Sequence, residues 1–143
     1  MVFRIEPAAP DHLEDWRRIH NAVIPTAPLS EVDVAGRATR HRLTLAYDAE
    51  TLVGNATVRA PDVDGVVTVI VRILPEHRRR GLGSTYLAHE LAEARAGTPV
   101  GIDTVVLASN EDGLAFALAR GFVEVERYLL DGDTIPFVNL RLA

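Results

Sequence analysis

The stretch Pro75–Ser84, PEHRRRGLGS, decides how this sequence reads. Three arginines, Arg78, Arg79 and Arg80, run into Gly81-Leu82-Gly83 in a chain whose formal charge is −5. A β-branched run, GVVTVIVRIL, precedes the stretch, and Leu87, Leu91 and Ala94 recur at helical spacing behind it. It therefore joins a strand ending near Leu74 to a helix starting near Gly81. A helix start presents unpaired N–H groups and a partial positive charge, which together bind anions. Gly81 and Gly83 keep side chains off the backbone, and Ser84 adds a hydroxyl. Arginine supplies charge-assisted hydrogen bonds of roughly 1.5–3 kcal/mol each. Together they select phosphate or pyrophosphate. A solvated basic loop would explain the arginines but not the glycines.

Two other phosphate motifs fail on inspection. A Walker A loop needs lysine, and the chain contains none. A dinucleotide fingerprint needs a third small residue where Tyr86 stands, and an acidic residue about 20 positions later. The missing lysine fits the coding bias of an arginine- and alanine-rich bacterial genome rather than a function.

Working outward, 143 residues with 48% hydrophobic and 24% charged content suit one globular domain, residues 1–143. No apolar run approaches the roughly 18 residues a bilayer span requires, and the N-terminus does not read as a secretory signal. No cysteine is present, which removes disulfides, thiolate nucleophiles and cysteine metal sites together. These features point to the cytoplasm, with no membrane and no metal. The acidic balance argues against nucleic acid, whose backbone needs a broad basic face.

The elements read β-α-α-β-β-β-α-β-α-β-β. FRIEPA opens as a strand, and a helix from Pro10 carries Leu13, Trp16, His20 and Val23 on one face. Ser30 and Asp33 form a capping-box pair, with Leu29 and Val34 as hydrophobic staple. RLTLAYD and TLVGNATVRA turn about Asp48–Glu50, and the run to Leu74 reads as a central strand. The helix after the glycines stops at Gly97, and DTVVLAS follows as a buried strand. Asn110 caps a helix through Arg120, which ends at a left-handed Gly121. Two strands close the chain around DGD.

At this point the sequence resembles the GNAT N-acetyltransferases. Their central motif, Arg/Gln-x-x-Gly-x-Gly/Ala, stands here as Arg78 to Gly83, and LASNEDGLAFALARGF resembles their second motif. The resemblance implies the GNAT fold: a central mixed β-sheet of about six to seven strands flanked by four helices. It implies acetyl-CoA as cosubstrate, with pyrophosphate on the amides of Arg79, Arg80, Gly81, Leu82, Gly83 and Ser84 and with Arg78 nearby. The pantetheine arm would lie along Val71, Arg72 and Ile73, Asn110 would meet it, and the Ile73 backbone would be the oxyanion donor. Acceptor pockets in this fold form from the loops at 24–29 and 131–135. Dimers are common in the family, and the final strand is a candidate partner surface.

Two family positions depart from the pattern. Where many members carry a Tyr that protonates the leaving thiol, this chain has Ala117; where some carry a Glu base, it has Val105. Weak substitutes are Glu126 and Tyr128, which with Glu124 alternate along one strand face; a solvated strand face is the plainer explanation of them. His20 reads as packed and His77 as exposed. Arg72 interrupts an apolar strand, facing either an acidic substrate group or a neighbouring carboxylate. Trp16, Phe116 and Phe122 read as core. Two functions therefore stand side by side. One is an N-acetyltransferase acting on a small-molecule amine or a peptide N-terminus, resting on positioning worth up to about 7–11 kcal/mol. The other is an acetyl-CoA-binding module with little or no turnover.

Overall fold

The strand Val66–Ile73, β-branched at all positions but one, is the middle member of a seven-stranded sheet. The structure, a computed structural model, describes residues 2–143. In chain order the elements are β1 (Phe3–Pro7), α1 (Leu13–Val23), α2 (Glu31–Arg40), β2 (Arg42–Asp48), β3 (Thr51–Val58), β4 (Val66–Ile73), α3 (Leu82–Ala96), β5 (Gly101–Leu107), α4 (Glu111–Ala119), β6 (Phe122–Tyr128) and β7 (Phe137–Leu142). Short 3₁₀ turns at Pro10–His12 and Pro75–His77 precede α1 and α3. The strands lie in the order β1-β2-β3-β4-β5-β7-β6, with only β4 and β5 parallel. This is the mixed α/β arrangement that the element order implied.

Alternation along β4 sends its side chains to two cores. Val67 and Val69 meet Leu87 and Ala94 of α3, Ala117 of α4, and Val138 and Leu140 of β7. On the other face α1 and α2 cover β2 to β4, where Trp16 is fully buried with Val34, Leu43 and Leu45. The Trp16 indole donates to Ala56 O at 3.2 Å, so its one polar atom is satisfied. Both bonds of the Ser30–Asp33 capping box form at the start of α2.

Helix α3 is buried on two sides, which the spacing of Leu87, Leu91 and Ala94 did not reveal. Tyr86 and Glu90 are both fully buried against β2. Glu90 accepts from Thr44 at 2.5 Å and Arg42 at 3.2 Å, and the Tyr86 hydroxyl lies 2.6 Å from the same threonine. A buried carboxylate survives because every neighbour of its oxygens is a donor.

One expectation is corrected here, the shared face of Glu124 and Glu126. The final strand, β7, inserts between β5 and β6 and is paired on both sides. The edge is β6, with Val123 and Val125 exposed. A bulge between Glu124 and Glu126 also breaks the alternation of β6. Glu124 lies opposite Leu140 and Glu126 opposite Asn139, and adjacent β7 residues face opposite ways, so the two glutamates do not share a face. Glu126 and Tyr128 look toward the α1 side of the sheet, whereas Glu124 looks away and pairs with Arg127 at 2.9 Å.

Candidate functional site

The anion loop has the conformation its residues suggested. Arg79 and Gly81 both adopt positive φ, 63° and 78°. Gly81 is the N-cap of α3 and no side chain caps the helix. The Thr85 amide donates to Gly81 O, so the amides of Leu82, Gly83 and Ser84 come before the first helical bond. The Leu82 side chain is buried, so only its backbone faces a ligand. A Cβ on Gly81 would meet nothing within 4 Å, so glycine is needed there for its φ alone. Gly83 has a packing reason as well. A Cβ there would meet the Phe116 ring at 3.2 Å, so this glycine lets α3 approach α4.

The arginines divide their roles. Arg78 donates from Nε to Ile73 O at 2.8 Å, and with Arg79 it approaches Asp112 of α4, at 3.9 and 3.5 Å. Arg80 turns the other way, to Asp48 and to His77 Nδ1 at 3.3 Å, and it does not line the cavity described below. A further cation takes its place. Arg120 lies over the Phe116 ring at 4.0 Å and donates to Ser84 Oγ at 3.2 Å, which joins the end of α4 to the first turn of α3. Sequence reading passed over Arg120; its only signal was the helical spacing from Phe116.

Beside the loop the sheet opens. β4 and β5 pair only from Val66–Gly101 to Thr68–Asp103 and then diverge. The Leu74 amide donates to Val53 O, on the β3 side. By alternation the Arg72 N–H also points to β3, while those of Val71 and Ile73 point into the gap. Arg72 O confirms the direction, lying 2.4 Å from where a Gly54 Cβ would be. Of Val71, Arg72 and Ile73, which all line the space described next, the first and third turn their N–H groups into the gap, whereas Arg72 turns its N–H to β3 and sends its side chain to the opposite face.

A cavity of about 430 Å³ runs through this gap. Its near wall is Arg78, Arg79, Gly81, Gly83 and Ser84, and α4 contributes Phe116, Ala117 and Arg120. Across the sheet it reaches Val23, Ile24, Ile70 and Arg72. Asn110 sits at the rim and caps α4, accepting the Gly113 amide at 3.0 Å. Val105 and Ala117 both line the cavity, and neither can carry a proton. A ligand threaded through would meet amides and arginines at one end, an apolar slot with two inward N–H groups in the middle, and the α1 side at the other end.

On that far side His20 is buried and stacked on Trp16, with ring centroids 5.8 Å apart. Nε2 lies 3.1 Å from Ala27 O, while the buried Nδ1 has no partner. Burial, aided by the Arg72 charge, pushes its pKa down to about 3, so the ring is neutral at ordinary pH. It is a packed histidine, not a base. Tyr128 stacks on Phe137 at 5.9 Å, and burial raises the pKa of its phenol. A smaller cavity of about 80 Å³ lies between Thr26–Ala27 and Gly132–Ile135, where the loops at 24–29 and 131–135 meet. Among the described residues no group of His, Asp or Glu is placed to hold a metal, and no helix is long and apolar enough to cross a membrane.

The acetyltransferase (GNAT) family profile matches residues 8–122. No curated protein sequence matches the chain at a significant level. Among solved structures, the ribosomal-protein-S18-alanine N-acetyltransferase of Escherichia coli superposes with a TM-score of 0.80 at 20% identity, covering 99% of this chain and 93% of that one. NAA60 of Arabidopsis thaliana, solved with a bisubstrate analogue, gives 0.77 at 19% identity over 98% and 97%. A Salmonella typhimurium protein solved with its cofactor acetyl-CoA gives 0.75 at 19% identity over 99% and 94%.

Proposed function

The chain belongs to the GNAT acetyltransferase family, and on that footing we propose that it transfers an acetyl group from acetyl-CoA to a primary amine of a small molecule or a peptide N-terminus. The observation that carries the reading is the cavity through the open sheet, with the α3 amides at one mouth and α1 at the other. The chain's residues fit acetyl-CoA. The amides of Leu82, Gly83 and Ser84, with Arg79 and Arg120 beside them, would hold a pyrophosphate. The inward N–H groups of Val71 and Ile73 would pair with an extended amide-containing arm, and the apolar walls would exclude water from it.

Bound there, acetyl-CoA supplies a thioester whose carbon–sulfur bond breaks as the carbon–nitrogen bond forms. The Ile73 N–H points into the gap and would stabilise the charge gathering on a thioester oxygen held beside it, a preorganised donor of the kind from which much electrostatic catalysis derives. The amine enters from the α1 side and loses its proton to water, because the one carboxylate lining the cavity, Asp112, sits at the other mouth beside Arg78 and Arg79. Water also returns a proton to the departing thiolate, since Ala117 cannot. Glu126 and Tyr128 face the acceptor side but lie outside the cavity wall.

Those apolar positions, Val105 and Ala117, favour the second reading, an acetyl-CoA-binding module with little turnover. The two separate on mixing the protein with acetyl-CoA and a broad amine panel while following thiol release and the acetylated product by mass. Amine-dependent thiol release with a matching product supports the transferase. Tight acetyl-CoA binding without product across the panel supports the module.

A further inference from the structure

Arg72 is the most deeply buried cation among the described residues, with 5% of its surface exposed. No carboxylate lies within ion-pair distance of it among those residues. Its Nη1 donates to Asn55 Oδ1 at 3.2 Å, its Nε is buried without a partner, and its guanidinium carbon sits 5.7 Å from the Trp16 ring centroid. Asn55 in turn is tied by its own amide to Trp16 O at 2.9 Å, so it offers the arginine a dipole but no charge.

The surrounding charge makes the cation less comfortable, not more. Burial acts first to lower the Arg72 pKa, to about 9, and Arg37 and Arg59 add repulsion. Arg59 follows β3, and its amide bonds Thr68 O, which places it on the sheet face shared by Asn55 and Arg72. The carboxylate on that face of β5, Asp103, is already held by Arg141 at 2.7 Å and Asn139 at 2.9 Å. His20 stands beside Arg72 and is neutral. In a chain of net charge −5, Arg37 and Arg59 both act on Arg72; Arg37 has Asp33 of its own helix to answer it, whereas Arg72, the deepest of the three, lines the cavity with no carboxylate partner.

A buried, unpaired charge is costly, and an aliphatic residue of similar volume is often equal or better for stability. Packing therefore gives no reason for a guanidinium in an otherwise apolar strand, whereas a ligand anion does. We propose that Arg72, supported by Arg59 and Arg37, binds an oxyacid group of the acceptor, so that the amine acetylated by this protein also bears a carboxylate or phosphonate. The inference names the acceptor class of the transferase proposed above and rests on that reading. The amine end would reach the open sheet beside Ile73 while the anion remains under α1.

The test compares matched acceptors: a panel of α-amino acids, the corresponding amino acid amides, and 1-aminoalkylphosphonates. kcat/KM for the parent should favour an acidic acceptor over its amide by about 10- to 100-fold, the worth of a charged hydrogen-bond pair. Arg72→Met should collapse that ratio toward one through loss on the acidic arm, with Tm equal to the parent's or higher. Arg72→Lys should retain part of the preference, and this variant keeps the test open should the methionine variant fold poorly. A second readout does not depend on turnover. N-acetyl amino acids titrated into the CoA-loaded protein should bind the parent at least about 10-fold more tightly than Arg72→Met.

If nothing is acetylated but this binding depends on Arg72, the transferase reading falls and the anion site stands. If amides are acetylated as fast as acids, the transferase stands and the inference falls. A lower Tm for Arg72→Met with an unchanged acid-to-amide ratio would also overturn it, because it would mark Arg72 as structural. Among acidic acceptors, the better of the carboxylate and phosphonate arms identifies the group.

Discussion

Acid should weaken this fold through His20, and the size of the effect follows from the surroundings of the ring. The imidazole is 4% exposed and stacked on Trp16; Arg72 of β4 and Arg37 of α2 are the charges that face it, and both repel a proton. Its folded pKa of about 3 lies below the ordinary 6.5. Between those two values the unfolded chain binds a proton that the folded chain refuses, so stability rises with pH in that window and is lost as pH falls through it. Each unit is worth about 1.4 kcal/mol, so His20 alone should remove about 3 kcal/mol between pH 7 and pH 4.5. Carboxylates titrate in the lower part of the same range, so the assay must be a difference. Urea melts of the parent and of His20→Phe, which keeps an aromatic ring over Trp16, should be run at pH 7, 5.5 and 4.5. The variant starts lower because Ala27 O loses its partner, but its stability should fall less steeply with acid by about 3 kcal/mol in total. Parallel curves would refute the reasoning, because they would mean that the ring accepts a proton in the folded state.

Three further perturbations probe other parts of the account. Glu90→Ala should lower stability by about 3 kcal/mol in denaturant melts, since it strands Thr44, Tyr86 and Arg42 around a buried hole, and Glu90→Gln should lose less. Gly83→Asp should abolish acetyl-CoA binding by calorimetry and also lower Tm, because its Cβ presses on Phe116; adding Phe116→Leu should recover Tm but not binding. Ala117→Tyr places a phenol in the cavity wall and should raise acetyl transfer across pH 6 to 9, by less than the about 10²–10⁴-fold of an optimised acid. An unchanged or lower rate with the fold intact would show that thiolate protonation does not limit turnover.

What the sequence disclosed and what it hid divide along physical lines. Features set by a few neighbouring residues were legible: the Ser30–Asp33 capping box, the left-handed Gly121 at φ 93°, the Asn110 cap and the helix start at Gly81. So was β4, because a β-branched run flanked by turns can do little else than form a central strand. Features set by distant pairing were hidden. The place of β7 between β5 and β6 is a matter of long-range register, and the β6 bulge that turns Glu126 away from Glu124 has no local signature. Gly83 was legible as a glycine position, but the packing of a ring from another helix against it was not. Arg80, expected at the loop amides, turns to Asp48 because a loop arginine can reach either way, and only the fold shows that Arg120, for which no place in the site was expected, reaches Ser84.

Acetyl-CoA should lie and react in the open sheet between β4 and β5. A co-crystal structure with acetyl-CoA tests it most directly. It should show the pyrophosphate on the amides of Leu82, Gly83 and Ser84, the arm beside Val71 and Ile73, and the acetyl oxygen within about 3 Å of the Ile73 N–H. Acetyl-CoA bound outside the gap, or in it with the acetyl group turned away from Ile73 and the α1 side, would contradict it.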